Sequence, residues 1–411
     1  MTDQYSHEHI NVSDSWGSDA FMGLLDAGFE KLEPKKTKYN EEAGNLLEQT
    51  LLGYGIKGEV VNIVPGPIVI RYEVVIAPGV VTQVIHEQAA DIARSMDVMD
   101  IRIVDVIHGS YAIGIEIPNG NPDTIQISHV VGSEAFQATS AFIPMALGCE
   151  CSGNPVVIDL AKTQHLLMAG AIGSGKNVTL HLMLTSMLLK KSPKDVKLLL
   201  IDPKAIELSA YDDLPHLLSP VINDISKANK ALQWCLAEVE RRHELLKHHE
   251  ARNIGSYNRE QAASLASQDK TEVLKLPYIV VVIDDYSDLI IIDNELDILI
   301  AKVVQKASAV GVHLIITTQH PTPNIITSVI KACIPARIAF RVNKPNESCA
   351  ILDQKGAETL LGFGDMLFLP AGKGVPERIH GAFVRDHEVD RVVQKHKVFG
   401  VSEYFNLGAH S

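Results

Sequence analysis

Cysteine is scarce in this chain. Five residues (Cys149, Cys151, Cys235, Cys333 and Cys349) among 411 do not make a disulfide framework. Cys149-x-Cys151 has half the spacing of a metal site, but no second pair answers it. No apolar run approaches the roughly 18 residues that a membrane helix needs. The N-terminus has no basic stretch ahead of a hydrophobic one, so no signal peptide and a cytoplasmic location are expected. Positive charge is also short. The 37 Lys and Arg face 50 Asp and Glu, a net charge of −13, which argues against a surface that coats nucleic acid everywhere. A local basic channel remains open.

The hydrophobic content of 46% supports a substantial core, and the length accommodates two domains. Residues 1–36 read as a flexible acidic tail, because Asp3, Glu8, Asp14 and Asp19 meet no Lys or Arg before Lys31. Within it, Ala20–Leu32 has helical apolar spacing. The alternative is therefore a short helix that docks on a partner or on this protein's own body. Residues 37–150 alternate helix, hairpin, helix, hairpin, with turns at Pro65-Gly66-Pro67 and His108-Gly109-Ser110 and helices predicted over 41–52 and 83–96. That order predicts a small α+β domain. Nothing in it looks catalytic, and Arg71, His86, Arg94 and His108 read as surface or structural residues.

From residue 151 to 411 the pattern becomes strand–helix–strand, with buried strands at Val196–Ile201, Tyr278–Ile283 and His313–Thr318. The expected fold class is α/β, a parallel sheet with helices on both faces, preceded by the small α+β domain. Ligands in such folds sit at the carboxyl ends of the strands.

One such end carries His165–Leu180, HLLMAGAIGSGKNVTL. Gly170, Gly175 and Lys176 fit the phosphate-binding pattern GxxxxGK[ST] except at its last position, which is Asn177. The predicted nucleotide-binding residues are Gly170, Gly173, Ser174, Gly175, Lys176, Asn177 and Val178. Their backbone N–H groups turn toward phosphate oxygens, and the lysine reaches the outer phosphates. The missing hydroxyl normally binds Mg²⁺, for which an Asn amide oxygen is a longer, differently aimed donor.

A second end, YIVVVI, closes in Asp284-Asp285. In the Walker B arrangement, Asp284 holds Mg²⁺ with Asn177, and Asp285 polarises the attacking water. The predicted catalytic set is Lys176, Asp284, Asp285 and Gln319, the last at the end of IITTQ. Asp285 stands where hydrolytic motors mostly carry Glu, about 1.5 Å shorter than a base there needs. The cofactors expected are ATP and Mg²⁺.

Between Glu41 and about Gly400 the chain resembles the motor region of the FtsK/SpoIIIE family of double-stranded-DNA translocases. The segments that carry the likeness are IDPK (Ile201–Lys204), PHLL (Pro215–Leu218), ALQWCLAEVERR (Ala231–Arg242), RNIGSYN (Arg252–Asn258), AKVVQKASAVGVHLIITTQ (Ala301–Gln319), IPARIAF, ILDQKGAETLLGFGDML (Ile351–Leu367) and HGAFVRDHEV (His380–Val389). The resemblance implies an α domain over 37–150 and a RecA-like P-loop NTPase β domain over 151–411. It also implies a ring, a hexamer in the family, with duplex DNA in its pore and ATP at subunit interfaces. The family's membrane region and its orienting winged-helix domain are not expected in this chain.

The departures fall on contacts with ATP and DNA. Besides Asn177 and Asp285, Ser308 stands where the family's QKARAAG carries an Arg thought to reach a neighbour's γ-phosphate. His320 stands at the Arg of TQRP, Pro345 at an interface Lys and Cys349 at an Arg. Between His320 and Ala350, Lys331, Arg337, Arg341 and Lys344 oppose only Glu347, so Lys331, Lys344 and His320 are the candidate DNA contacts. Arg337 and Arg341, alternating on a strand, read as packing or salt-bridge residues. Two functions follow. One is a degenerate member that binds nucleotide and DNA in a ring, of its own kind or mixed with an active subunit, with hydrolysis weakened or lost. The other is an active translocase without an anchor.

Overall fold

The structure, a computed structural model, describes residues 22–26, 28, 37–107, 109–266, 275–293, 295–398, 400–402 and 404–405. Most of the acidic tail and His108 lie outside the described residues.

Two sheets form over two hydrophobic cores. The smaller sheet has four antiparallel strands in the order β1-β2-β4-β3: β1 Gly58–Val64, β2 Val69–Ile76, β3 Arg102–Val104 and β4 Ile113–Pro118. Alternation along β2 sends Ile70, Tyr72 and Val74 inward, where they meet Leu47 and Leu51 of helix Lys38–Gly53. The helix expected over 83–96 is two short ones, Thr82–Glu87 and Ala89–Ser95, broken at Gln88, whose ψ of 1° leaves the helical region.

The larger sheet has nine strands in the order β6-β5-β13-β12-β11-β7-β10-β9-β8. These are β5 Pro144–Glu150, β6 Pro155–Asp159, β7 Leu166–Ala169, β8 Val196–Ile201, β9 Tyr278–Ile283, β10 Val312–Thr318, β11 Ala336–Phe340, β12 Asp365–Leu369 and β13 Glu377–Gly381. The five from β8 to β11 are parallel; β12, β13, β5 and β6 run antiparallel to their neighbours. The sheet is thus mixed rather than wholly parallel. Short connections join β5 to β6 and β12 to β13, and only antiparallel strands can be joined that way. Helix Lys176–Leu188 packs against β5, and helix Glu295–Ala307 packs against both β10 and the long helix Ile225–His248.

Residues 125–150 pack differently from their sequence grouping with the small domain. Ile127, Val130, Phe136 and Met145 belong to the larger core, and β5 pairs with β6 and β13. A helix–hairpin pattern is the same on either side of such a seam, so hydrophobic spacing alone does not place it.

The tail reading also changes at 22–26. Leu25 is buried in the larger core, and the Asp26 carboxylate receives Arg385, His387 and Arg391 at 3.0, 2.8 and 2.5 Å. Hydrogen bonds from Arg391 and His387 hold that carboxyl down at about 2. Of the two readings of this stretch, docking on the protein's own body describes these five residues.

One carboxylate joins the two sheets. Glu116, on β4, is fully buried and faces Arg71 of β2 (2.8 Å), Arg102 of β3 (3.1 Å) and Arg378 of β13 (2.8 Å). Arg378 also donates to Asp365 of β12 at 2.6 and 3.0 Å. Burial pushes the Glu116 carboxyl up, but Arg378, Arg102 and Arg71 more than offset it and hold it far below the usual carboxylate range. Removing one partner of a buried ion cluster leaves the others uncompensated. Glu116→Gln keeps the shape and deletes the charge, so it is expected to lower unfolding stability by about 3 kcal/mol in urea titration at pH 7.5. A loss under about 0.5 kcal/mol would show that water already screens the three guanidiniums.

Candidate nucleotide-binding site

The loop 170–175 joins β7 to helix Lys176–Leu188 at the carboxyl end of the parallel strands. Gly173 and Gly175 have φ of 76° and 98°. At Gly175 a Cβ would lie 2.2 Å from the Gly364 nitrogen, so glycine is obligatory there. The Gly364 N–H donates to the Ser174 carbonyl at 2.9 Å, which clamps the segment Gly362–Gly364 onto the loop.

Between the loop and that segment lies a cleft of about 290 Å³. Of the predicted nucleotide-binding residues, Gly173, Gly175, Lys176, Asn177 and Val178 line it. Gly170 and Ser174 sit behind. A Cβ on Gly170 would meet Phe340 at 2.6 Å, and the buried Ser174 hydroxyl has no hydrogen-bond partner among the described residues. A loop with inward glycines, a lysine and an orphaned buried hydroxyl fits a phosphate group.

Lys176 is 3% exposed, and its ammonium donates to Thr317 Oγ1 at 3.1 Å and Asp284 Oδ1 at 3.4 Å. Thr317 Oγ1 in turn donates to Asp284 Oδ1 at 2.5 Å. The end of β10 thus holds lysine and acid in register. Thr317 is absent from the sequence-predicted set; its signal is a hydroxyl two residues before Gln319 in IITTQ. Gln319 lines the cleft.

Asp284 and Asp285 do not line it. Asp284 lies behind Lys176. Asp285 takes a left-handed backbone (φ 50°, ψ 58°) and turns its buried carboxylate onto the Lys204 ammonium, while Ser287 Oγ donates to it at 2.8 Å. Burial pushes the Asp285 carboxyl up, but Lys204 and Ser287 more than offset it, and the group lies below its ordinary range. The structure therefore brings Lys176, Asn177 and Gln319 to the cleft and places the predicted base against the half-exposed Lys204 ammonium. Asp202, another strand-end acid, is fully buried and accepts the backbone N–H groups of Lys204, Ala205, Ile206, Glu207 and Leu208 at 3.0–3.1 Å. It organises its own loop and, through it, places Lys204.

Asn177 also has a partner that its sequence position does not announce. Hydrogen bonds from His181, against burial that pushes the other way, and from Asn177 hold the Glu207 carboxyl below its usual range. His181 Nε2 lies 3.5 Å from Glu207, and its Nδ1 lies 3.0 Å from the Tyr211 hydroxyl. With its NH₂ on Glu207, the Asn177 carbonyl oxygen remains as a hard donor. Of the two predicted Mg²⁺ ligands the cleft presents Asn177, while Asp284 stands behind Lys176 with its Oδ1 already taken by Lys176 and Thr317.

The predicted DNA residues separate. Lys331 Nζ lies 2.5 Å from Asp353, which Arg337 Nη1 also meets at 2.6 Å, so one acid answers two of the four positive residues. Arg337 further donates to the carbonyls of Ile351 and Lys331, which is the structural role expected of it. His320, Lys344 and Arg341 are exposed.

Residues 126–323 match the FtsK/SpoIIIE family, and residues 22–119 match the FtsK alpha domain. The chain is 43% identical over 402 residues to the DNA translocase FtsK of Shewanella oneidensis, covering 94% of this chain and 44% of that protein. It is 43% identical over 399 residues to the DNA translocase FtsK of Pseudomonas aeruginosa, covering 93% and 49%. It thus spans about half the length of the curated relatives it matches. Among solved structures, the pCW3 conjugation coupling protein TcpA, a monomer form with ATPγS, aligns with a TM-score of 0.58 at 19% identity over 86% of this chain and 99% of that one. The cytoplasmic domain of the Type VII secretion ATPase EccC of Thermomonospora curvata aligns at 0.55 and 20% identity over 64% of this chain and 32% of that one. These likenesses carry the fold. No helix among the described residues is long and apolar enough to cross a membrane.

Proposed function

Because this chain belongs to the FtsK/SpoIIIE family, we propose that it binds ATP at the 170–178 loop and duplex DNA as part of a ring, with hydrolysis weakened or lost. The observation that carries this reading is the contrast within one site. The phosphate loop, Lys176, Thr317 and Asp284 are assembled, while the Asp285 carboxylate is buried on Lys204 and Ser287. A buried carboxylate that lies off the cleft, with an ammonium on one oxygen and a hydroxyl on the other, is turned away from a water at the phosphates. Mg²⁺ held by Asn177 would neutralise phosphate charge. Ser308, half-buried on the turn 308–310, does not line this chain's own cleft and has no charge to offer a neighbour's γ-phosphate. For DNA, His320, Arg341 and Lys344 are the exposed candidates, and Lys331 contributes less because Asp353 already holds it. The domain boundary that best fits the two cores is near residue 120.

The second reading, an active translocase, draws on the intact Lys176–Thr317–Asp284 contact and on Gln319 in the cleft. Turnover by the purified chain, with and without long duplex DNA and beside Lys176→Ala, separates the two. We expect Lys176-dependent ATP binding, with the Kd at least about tenfold higher in the variant, and turnover below about 0.1 s⁻¹, a hundredth of the usual enzyme median. DNA-stimulated turnover at ordinary motor rates, lost in Lys176→Ala, would sink the preferred reading.

A further inference from the structure

The cleft has a mixed lining. Gly173, Gly175 and Lys176 supply its polar groups. Ile172, Phe363 and Phe383 line it as well, and all three are exposed (82%, 94% and 43%). Large apolar side chains left in water at the mouth of a cleft need a reason beyond packing, because packing leaves them uncovered.

Phe363 adds a second anomaly. It sits at φ 53°, in the left-handed region that bulky residues avoid, between Gly362 (φ 85°) and Gly364 (φ 91°). Gly362 and Gly364 meet this requirement without strain; Phe363 does not. The segment is held there by the Gly364–Ser174 hydrogen bond and by the close approach of Gly364 to Gly175. The Phe363 backbone is therefore fixed to the phosphate loop itself, where a glycine would serve it better, and its ring projects into solvent at the cleft.

We infer that Phe363 and Phe383 form a stacking site for the purine base of the nucleotide whose phosphates occupy the glycine loop. The inference rests on the nucleotide-binding reading above. A phenyl ring has a π-face but no hydrogen-bonding group, so it discriminates by stacking area rather than by the base's edge. ADP and GDP should then bind about equally, and UDP and CDP more weakly. The base contributes affinity that tripolyphosphate lacks.

The test is equilibrium binding of ADP, GDP, UDP, CDP and inorganic tripolyphosphate to the full chain, to Phe363→Gly and to Phe383→Ala. Glycine relieves the left-handed backbone, so Phe363→Gly keeps the fold, with a thermal midpoint within a few degrees of the unmodified chain. Stacking of one base on one aromatic ring corresponds to roughly 5- to 150-fold in affinity. We expect the Kd of ADP to rise at least about tenfold in Phe363→Gly, the purine preference to collapse, tripolyphosphate binding to stay unchanged, and Phe363→Trp to restore ADP affinity. If the unmodified chain binds ADP in a Lys176-dependent way and Phe363→Gly and Phe383→Ala bind it equally well, the stacking site is wrong and the nucleotide site stands. If the unmodified chain binds none of the five ligands, both fall. If Phe363→Gly weakens duplex-DNA binding and leaves ADP untouched, the ring serves DNA and the inference is overturned.

Discussion

Restoring three side chains together, Asn177→Ser, Asp285→Glu and Ser308→Arg, is expected to raise ATP turnover in the presence of duplex DNA by roughly 10³-fold or more. The three changes supply different things. Serine returns the hydroxyl that the phosphate-loop pattern places on Mg²⁺. Glutamate adds one methylene, about 1.5 Å of reach, to a carboxylate that now lies on Lys204 and Ser287. Arginine supplies a cation from a position that does not line its own cleft, so under the proposed ring reading it would serve a neighbour's cleft. A positioned base contributes about 10²–10⁴ and an arginine finger about 10³–10⁵. Groups that act as a unit are far from additive, so the smaller figure for the set is the safer expectation.

Mixing gives the second arm of the test. Ser308→Arg protein combined with Asn177→Ser/Asp285→Glu protein should hydrolyse ATP faster than either alone, because the arginine and the repaired cleft then sit on different chains. A triple variant that binds ATP but hydrolyses it no faster, with Lys204→Ala added to free the lengthened carboxylate and still no gain, would place the defect outside these positions.

How far the site could be read from sequence depends on the kind of contact. The glycine loop and the apolar strand before Asp284 carry local patterns, backbone turn chemistry in one and β-branched burial in the other, and both stand where expected. The contacts that redirect the chemistry are between residues far apart in the chain: Lys204 with Asp285, Thr317 with Lys176 and Asp284, Asn177 with Glu207. No spacing rule pairs residues 81 or 141 positions apart. The same limit hides Glu116. An isolated acid in the strand IGIEIP reads as a solvent-facing residue, and only the β2, β3 and β13 neighbours turn it into the joint between the sheets. Strand β12 (DMLFL) carries a short apolar run, but β13 (ERIHG) has a single aliphatic residue, and neither announces its direction, since direction is set by connection length and by which edge of the sheet is free. Phe363 carries a signal that local reading can find, a bulky residue between two glycines, whereas its exposure at the cleft requires the fold.

Acid should unfold this protein before its carboxylates begin to protonate. Four histidines are buried in two pairs. His165 and His313 lie 6.1 Å apart between ring centroids, and His216 and His396 lie 5.0 Å apart. Each ring has a main-chain partner. The Leu314 N–H donates to His165 Nδ1, and His313 Nδ1, His216 Nε2 and His396 Nε2 meet the carbonyls of Gln164, Lys191 and Leu188 at 2.7–3.0 Å. Burial is the largest cause of a pKa drop to about 3 for His165 and His216 and about 4 for His313 and His396. The neighbouring His313 adds to it at His165, and His396 adds to it at His216. Smaller charges act on two of the rings: Asp159 and Arg242 oppose each other at His313, as do Asp195 and Lys197 at His216. The folded values lie below the unfolded value of 6.5, so the unfolded chain binds more protons and the contribution to stability is lost as pH falls from 6.5 toward 4. At pH 5 the folded rings are still neutral, which makes the loss nearly independent of how the pairs couple. It is the free energy of protonating four ordinary histidines, about 2 kcal/mol each and about 8 kcal/mol together. That is as large as the whole stability of many domains. Glu116, Asp365 and Asp26 all titrate below the usual carboxylate range when folded, so their own losses begin only under about pH 4.5 and leave the histidine window clear. Urea titrations at pH 7.5, 6.0 and 5.0 measure it. The expected slope between pH 6.0 and 5.0 approaches four protons, His396→Gln should remove about one of them, and a flat profile over that unit of pH would mean the rings are hydrated in solution.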